Sequence, residues 1–140
     1  MKTIKIWTDG GVINNPGEGA IGVVIDFGDR VNHYKAKLKE VTNNEAEYLA
    51  VIYALKKLKE IFGKKKLKDY MVILHLDSEL VGNQLIGKYK IKEENLQKLF
   101  LKFWNLKVDI PNIEVKIIPR EENKIADKLV KSLLFKNTLF

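Results

Sequence analysis

The chain has 140 residues, which is enough for one domain with its own core over residues 1–140 and leaves no surplus for a second. It contains no cysteine, so disulfides and thiolate metal sites are excluded and any metal must be held by oxygen or imidazole. Lysine and arginine total 25 against 18 acids, a net charge of +7 that suits a polyanion such as nucleic acid, although a merely solvated basic surface fits the charge equally well.

Thr3 to Thr8 is rich in β-branched and aromatic residues and ends on Asp9-Gly10-Gly11. This reads as a central strand whose carboxyl end presents Asp9, with the glycine pair opening a tight turn. Ligands of open α/β sheets sit outside such strand ends. Asn14-Asn15-Pro16-Gly17 is a turn signal, Gly19 to Phe27 a second strand, and Gly28-Asp29 a hairpin loop. The third strand, Val31 to Lys39, alternates Tyr34, Ala36 and Leu38 with His33, Lys35, Lys37 and Lys39, the lysine row expected of a sheet edge.

Asn43 to Phe62 carries an apolar stripe wide enough for a helix buried on most sides, and Gly63 ends it. Lys64 to Lys68 reads as a solvated loop. Tyr70 to Leu76 is nearly all apolar, as in a strand covered on both faces, and it ends on Asp77. Helices are expected over Ser78–Ile86 and over Glu93–Leu106, the latter burying Leu96, Leu99, Phe100, Phe103 and Trp104. Ile113 to Ile118 is a fifth strand, and a last helix runs from an Asn123 cap to about Phe135. The order β-β-β-α-β-α-α-β-α predicts an α/β fold: a five-stranded mixed sheet in spatial order 3-2-1-4-5, strand 2 antiparallel, with helices on both faces. Strands 1 and 4 then lie side by side, which brings Asp9 next to Asp77.

Two helical acids join them. Glu47 lies on the buried stripe of its helix, and Asp127 is aligned with Val130 and Leu134. Each has a local explanation in helix-start chemistry, with Thr42/Glu45 or Asn44/Glu47 as a capping box. Their convergence on one sheet end is the alternative. Four adjacent carboxylates raise one another's pKa, and a hard divalent cation, Mg²⁺ or Mn²⁺, resolves that conflict. Two such ions roughly 4 Å apart can activate a water and stabilise the leaving oxygen of a phosphodiester.

Thr8-Asp9-Gly10-Gly11 with Asn15-Pro16-Gly17, Thr42-Asn43-Asn44-x-Ala46-Glu47, Asp77-Ser78-Glu79-Leu80-Val81 and Pro119-Arg120-Glu121-x-Asn123-x-x-Ala126-Asp127 resemble, in order, the four motif blocks of type 1 ribonuclease H, the bacterial-type ribonuclease HI family. The resemblance covers residues 2 to about 134. It implies an endonuclease that cuts the RNA strand of an RNA/DNA hybrid with two Mg²⁺ ions, Mn²⁺ being a substitute, and leaves 5′-phosphate and 3′-hydroxyl ends. By the same resemblance Asp9 bridges both metals, Asp77 shares that coordination, and Glu47 and Asp127 complete one site each. Gly10, Gly11, Asn15, Asn43, Asn44 and Gln84 match groups lining the minor groove, and Thr42 matches a residue of the DNA-phosphate pocket. Double-stranded RNA is an alternative substrate, because groove contacts need A-like shape and 2′-hydroxyls; a non-catalytic hybrid-binding module is a further one.

The chain departs from the pattern in three places. Many relatives carry a histidine in the loop before the last helix, where this chain has Ile118-Pro119-Arg120-Glu121, so Arg120 is the candidate assisting residue. The large basic protrusion of some relatives is replaced by Lys88 to Lys92, with Lys88 and Lys90 as candidate substrate contacts. The apolar tail over about 135–140 is expected to pack on a monomeric body, a partner or dimer contact being the lesser option. His75 reads as a buried core histidine and His33 as solvated. No run approaches the roughly 18 apolar residues of a membrane span, and no signal-peptide pattern follows Met1, so a cytoplasmic protein without a membrane partner is expected.

Overall fold

The computed structural model describes residues 1–135, so the expected packing of the tail lies outside the described residues from position 136 onward. Strands β1 (Lys2–Val12), β2 (Gly17–Asp26), β3 (Val31–Val41), β4 (Tyr70–Leu76) and β5 (Ile113–Ile117) form one sheet in the order β3-β2-β1-β4-β5. β1 pairs antiparallel with β2 and parallel with β4, and β4 pairs parallel with β5. Helices α1 (Asn43–Phe62), α2 (Lys64–Leu67), α3 (Glu79–Leu85), α4 (Glu94–Asp109) and α5 (Lys124–Leu134) complete the chain. The expected topology and fold class are therefore observed. No helix among the described residues is long and apolar enough to cross a membrane.

Even-numbered β1 residues Ile4 and Ile6 join Val23, Ile25, Val72, Leu74 and Leu76 in a core covered by α1 and α4. α1 contributes Tyr48, Val51, Ile52, Leu55 and Leu58, and α4 contributes Leu96, Phe103 and Leu106. The start of α1 is fixed by a capping box in which the Thr42 hydroxyl accepts from the Glu45 N–H and the Glu45 carboxylate accepts from the Thr42 N–H. That settles the choice left open by the sequence, because Glu47 is then free for another partner. α5 lies on the opposite face, over β1 and β2 and along β3.

Four expectations need correction. β1 does not turn at Gly10-Gly11 but continues to Val12, because β2 still pairs with it there (Gly10↔Ile21, Gly11↔Ala20) after β4 has ended at Thr8↔Leu76. Lys64 to Lys68 is not plain loop: it holds one helical turn whose purpose is visible in Leu67, which is fully buried among its lysines. β4 is fully buried on the core face alone; Met71, Ile73 and His75 on the other face are half-buried. Trp104 is 51% exposed rather than buried, because α4 turns its 96-99-103-106 stripe to α1 and leaves Trp104 at the margin, stacked on Phe100.

Close approach of α5 to the sheet depends on Gly22, where an added Cβ would overlap the Ala126 carbonyl and lie 2.9 Å from the Leu129 Cβ. Gly22→Ala should therefore lever α5 off the sheet and destabilise the protein by about 1–3 kcal/mol in denaturant unfolding. A wild-type midpoint for this variant would show that α5 is not clamped at Gly22.

Candidate active site

The carboxylates are placed by the change of pairing along β1. Asp9 is the first β1 residue beyond the parallel ladder with β4, and Asp77 is the first residue after β4. The sheet opens between them. Gly10 matters next, since a Cβ there would collide with the Ala46 backbone and lie 2.6 Å from the Glu47 nitrogen. Without that side chain the first turns of α1 rest on the strand, and Glu47 Oε1 accepts from the Gly10 N–H at 3.2 Å.

Asp9 and Glu47 are both buried, at 7% and 6% exposure. One carboxylate oxygen from each of Asp9, Glu47 and Asp77 lies within 4.8 Å of the others. Burial, then the charges of Asp77 and Asp127, push the Asp9 carboxyl up to about 7, against the opposing Gly10 N–H. Glu47 is held well above the usual carboxylate range by burial first and by Asp9 and Asp77 next, with Gly10 and Arg120 working the other way. Among the described residues none of the three pairs with a lysine or arginine. Largely buried, mutually repelling, all-oxygen donors without an ion-pairing cation are a fitting set for a hard divalent cation.

Asp127 neighbours Asp9 without belonging to the closest trio. It lines the same cleft of about 500 Å³ with Arg120, Lys124 and Lys131, but its Oδ2 lies 3.0 Å from Lys131 Nζ and it is not one of the converging three. Asn43 also lines this cleft, and its N–H is accepted by Asn15 Oδ1 at 2.9 Å, which ties the β1–β2 loop to the start of α1. Gly11 is on the cleft wall, Asn44 is half-buried beside Asn43, and the Thr42 hydroxyl is occupied by its capping role.

Gln84 is 4% exposed, and both ends of its amide are used: Oε1 accepts from the Tyr48 hydroxyl at 2.7 Å and Nε2 donates to the Lys90 carbonyl at 3.3 Å. It anchors the segment carrying Lys88 and Lys90, which line a neighbouring crevice of about 440 Å³ with Tyr89 and Lys92. His75 is half-buried, not buried. Its ring stacks on Trp7 at 4.6 Å, and Nδ1 is bonded to the Ile6 carbonyl, one pair below the two aspartates on the same sheet face.

Sequence reasoning missed the part played by Asn123. Its side chain makes no cap bond on α5. Instead Nδ2 donates to the Thr8 carbonyl at 2.8 Å and to Asp77 Oδ2 at 2.9 Å, binding the point where β1 and β4 part to the start of α5. The signal was an asparagine four residues before Asp127, which a helix cap explained equally well.

The raised Asp9 carboxyl makes stability depend on pH with a definite sign. The folded state keeps the proton above the ordinary value of 3.8, so stability is greatest below that value and falls as pH rises through it, levelling off above about 7. In chelator, Asp9→Asn removes this penalty. Its thermal midpoint should exceed wild type at pH 8, and the gain should vanish toward pH 4. A gain that is the same at both pH values would show that Asp9 does not titrate in this way.

Residues 7–133 match the family model described as reverse transcriptase-like. The chain is 32% identical to a putative hydrolase, EbsB, of Enterococcus faecalis over 95% of both chains, and 32% identical to ribonuclease HI of Haemophilus ducreyi over 94% of this chain and 90% of that one. A bifunctional protein of Mycobacterium tuberculosis is 31% identical over 96% of this chain, which spans 36% of that relative. The solved structure of LC11-RNase H1, isolated from compost, superposes with a TM-score of 0.88 at 43% identity over 97% of this chain and 98% of that one; the same enzyme has also been solved in complex with an RNA/DNA hybrid. With its sheet order and its motif blocks in register, the chain belongs to the type 1 ribonuclease H family and is a ribonuclease H hydrolase.

Proposed function

We propose that the protein is an endonuclease that hydrolyses the RNA strand of RNA/DNA hybrids with two divalent cations, Mg²⁺ or Mn²⁺, leaving 5′-phosphate and 3′-hydroxyl ends. The observation that carries this reading is the convergence of Asp9, Glu47 and Asp77 within 4.8 Å. The hybrid complex of LC11-RNase H1, at 42% identity and a TM-score of 0.86, supports the substrate class.

Asp9 and Asp77 would serve both cations, with Glu47 and Asp127 completing one site each. Bound there, the cations supply an activated water and a stabilised leaving oxygen. The protein supplies the rest. Asp9, whose carboxyl is raised to about 7, must be ionised to hold a cation, so uptake of the cations competes with its proton near neutral pH. Glu47 also stands beside Gly10 and Asn43, where a ribose 2′-hydroxyl would distinguish RNA from DNA. Gly11, Asn15 and Asn44 would extend this groove wall, and Thr42 would meet a DNA phosphate at the first turn of α1, where the helix dipole favours an anion. Arg120 would hold a phosphate oxygen or developing charge, since a guanidinium does not exchange protons in the working range. Gln84 would act by holding Lys88 and Lys90 in place for backbone contacts.

The test is cleavage of one labelled RNA strand paired to DNA or to RNA, with Mg²⁺ or with EDTA. Cutting of the hybrid in Mg²⁺ alone is expected, and Asp77→Asn should abolish it while hybrid binding survives. Equal cutting of the RNA duplex would widen the substrate class. No cutting by folded protein in either metal would leave a binding module as the better account. Replacing Lys88 and Lys90 by alanine should lower the slope of log affinity against log salt by about 0.7–0.9 per lost phosphate contact; an unchanged slope would place the electrostatic contact elsewhere.

A further inference from the structure

Asp9, Glu47 and Asp77 form the closest trio, and among the described residues Asp127 alone of the four acids carries an ion pair. Glu47 accepts from the Gly10 N–H, Asp77 accepts from Asn123, and both converge with Asp9. Asp127 instead faces the ammonium of Lys131, one helical turn further along α5, at 3.0 Å. Both side chains line the catalytic cleft rather than the outer face of the helix. The backbone beneath them is fixed, because Ala126 and Val130 are buried against the sheet and α5 is seated on Gly22 and Gly11. Asp127 already lies beside Asp9, whose carboxyl it helps to raise, while its Oδ2 carries the Lys131 ammonium, so a cation drawing on Asp127 meets Lys131 at the same carboxylate.

We infer that Lys131 is a positioning residue that competes with a cation for Asp127, so that the second cation site is completed only when Lys131 releases this carboxylate. The inference rests on the two-cation reading above. The pair is solvent-exposed, with side chains 61% and 43% accessible, which makes it weak enough to exchange for a divalent ion. Arg120 and Lys124 also face the cleft, but neither pairs with Asp127 among the described residues.

The experiment is calorimetric titration of Mn²⁺ into the full, metal-free chain without substrate. Lys131→Met should tighten the weaker binding step by about two- to fivefold, the worth of an exposed helical ion pair. Lys131→Arg should behave as wild type, as should Lys128→Met, which removes an exposed α5 charge of the same sign. In an Asp127→Asn background Lys131→Met should have no effect, which separates competition for Asp127 from simple relief of charge repulsion. The thermal midpoints of the metal-free variants report whether folding is intact. Wild-type binding by Lys131→Met, or tightening that persists in the Asp127→Asn background, overturns the role of Lys131 alone. If Asp9→Asn binds Mn²⁺ as wild type does, the cation site itself is misplaced and both readings fall.

Discussion

Crowding negative charge at one sheet end is the constraint on which the rest of the structure depends. Asp9 and Glu47 are more than nine-tenths buried and lie within a few ångströms of Asp77. In water-poor surroundings such groups cannot all ionise, and the raised carboxyls of Asp9 and Glu47 express that conflict. The protein does not relieve it with buried lysines or arginines. Relief comes from the Gly10 N–H beside Asp9 and Glu47, the Asn123 amide on Asp77, the Lys131 ion pair on Asp127 and the exposed Arg120 near Glu47. An arrangement that retains so much mutual repulsion is poised to gain from a divalent cation.

The geometry that imposes this crowding is assembled from both faces of the sheet. Asp9 projects on the α5 side, in phase with Gly11 and Gly22, whereas Glu47 arrives from α1 on the other side. The two meet because β1 lacks a side chain at Gly10 and because β4 has ended one residue earlier. Removing either condition would place the strand, or a side chain on it, between the acids. The long antiparallel pairing with β2 keeps Gly10 and Gly11 extended while their parallel neighbour is gone. Strand continuity past the glycines is thus part of the site.

This also explains what was legible in the sequence. The sheet order followed from strand and helix alternation, and the adjacency of Asp9 and Asp77 followed from the order. Glu47 was legible as an acid on an otherwise apolar stripe. The roles of Gly10 and Gly22 were not, because a glycine signals permissive backbone without saying which neighbour comes close. Trp104 was misplaced for a related reason: an apolar residue at the margin of a stripe belongs to either face until the crossing of α4 on α1 is known. Gln84 had a polar residue's ordinary claim to a ligand, and only the Tyr48 hydroxyl and the Lys90 carbonyl show that its amide is already engaged.

Asn123 links the constraint to the chemistry at the cleft mouth. By holding the Thr8 carbonyl and Asp77 at once, it fixes where α5 begins, and therefore where Asp127 stands. The 3-10 turn Arg120–Glu122 immediately precedes it, so the same anchor sets Arg120 on the cleft wall, near enough to oppose the rise of Glu47. A guanidinium stays charged across the accessible pH range. A histidine in that loop would add a titrating group near neutrality, and Arg120 adds none. Burial and the neighbouring acids already raise the Asp9 carboxyl to about 7, so the site keeps a group that titrates near neutrality without a histidine in that loop.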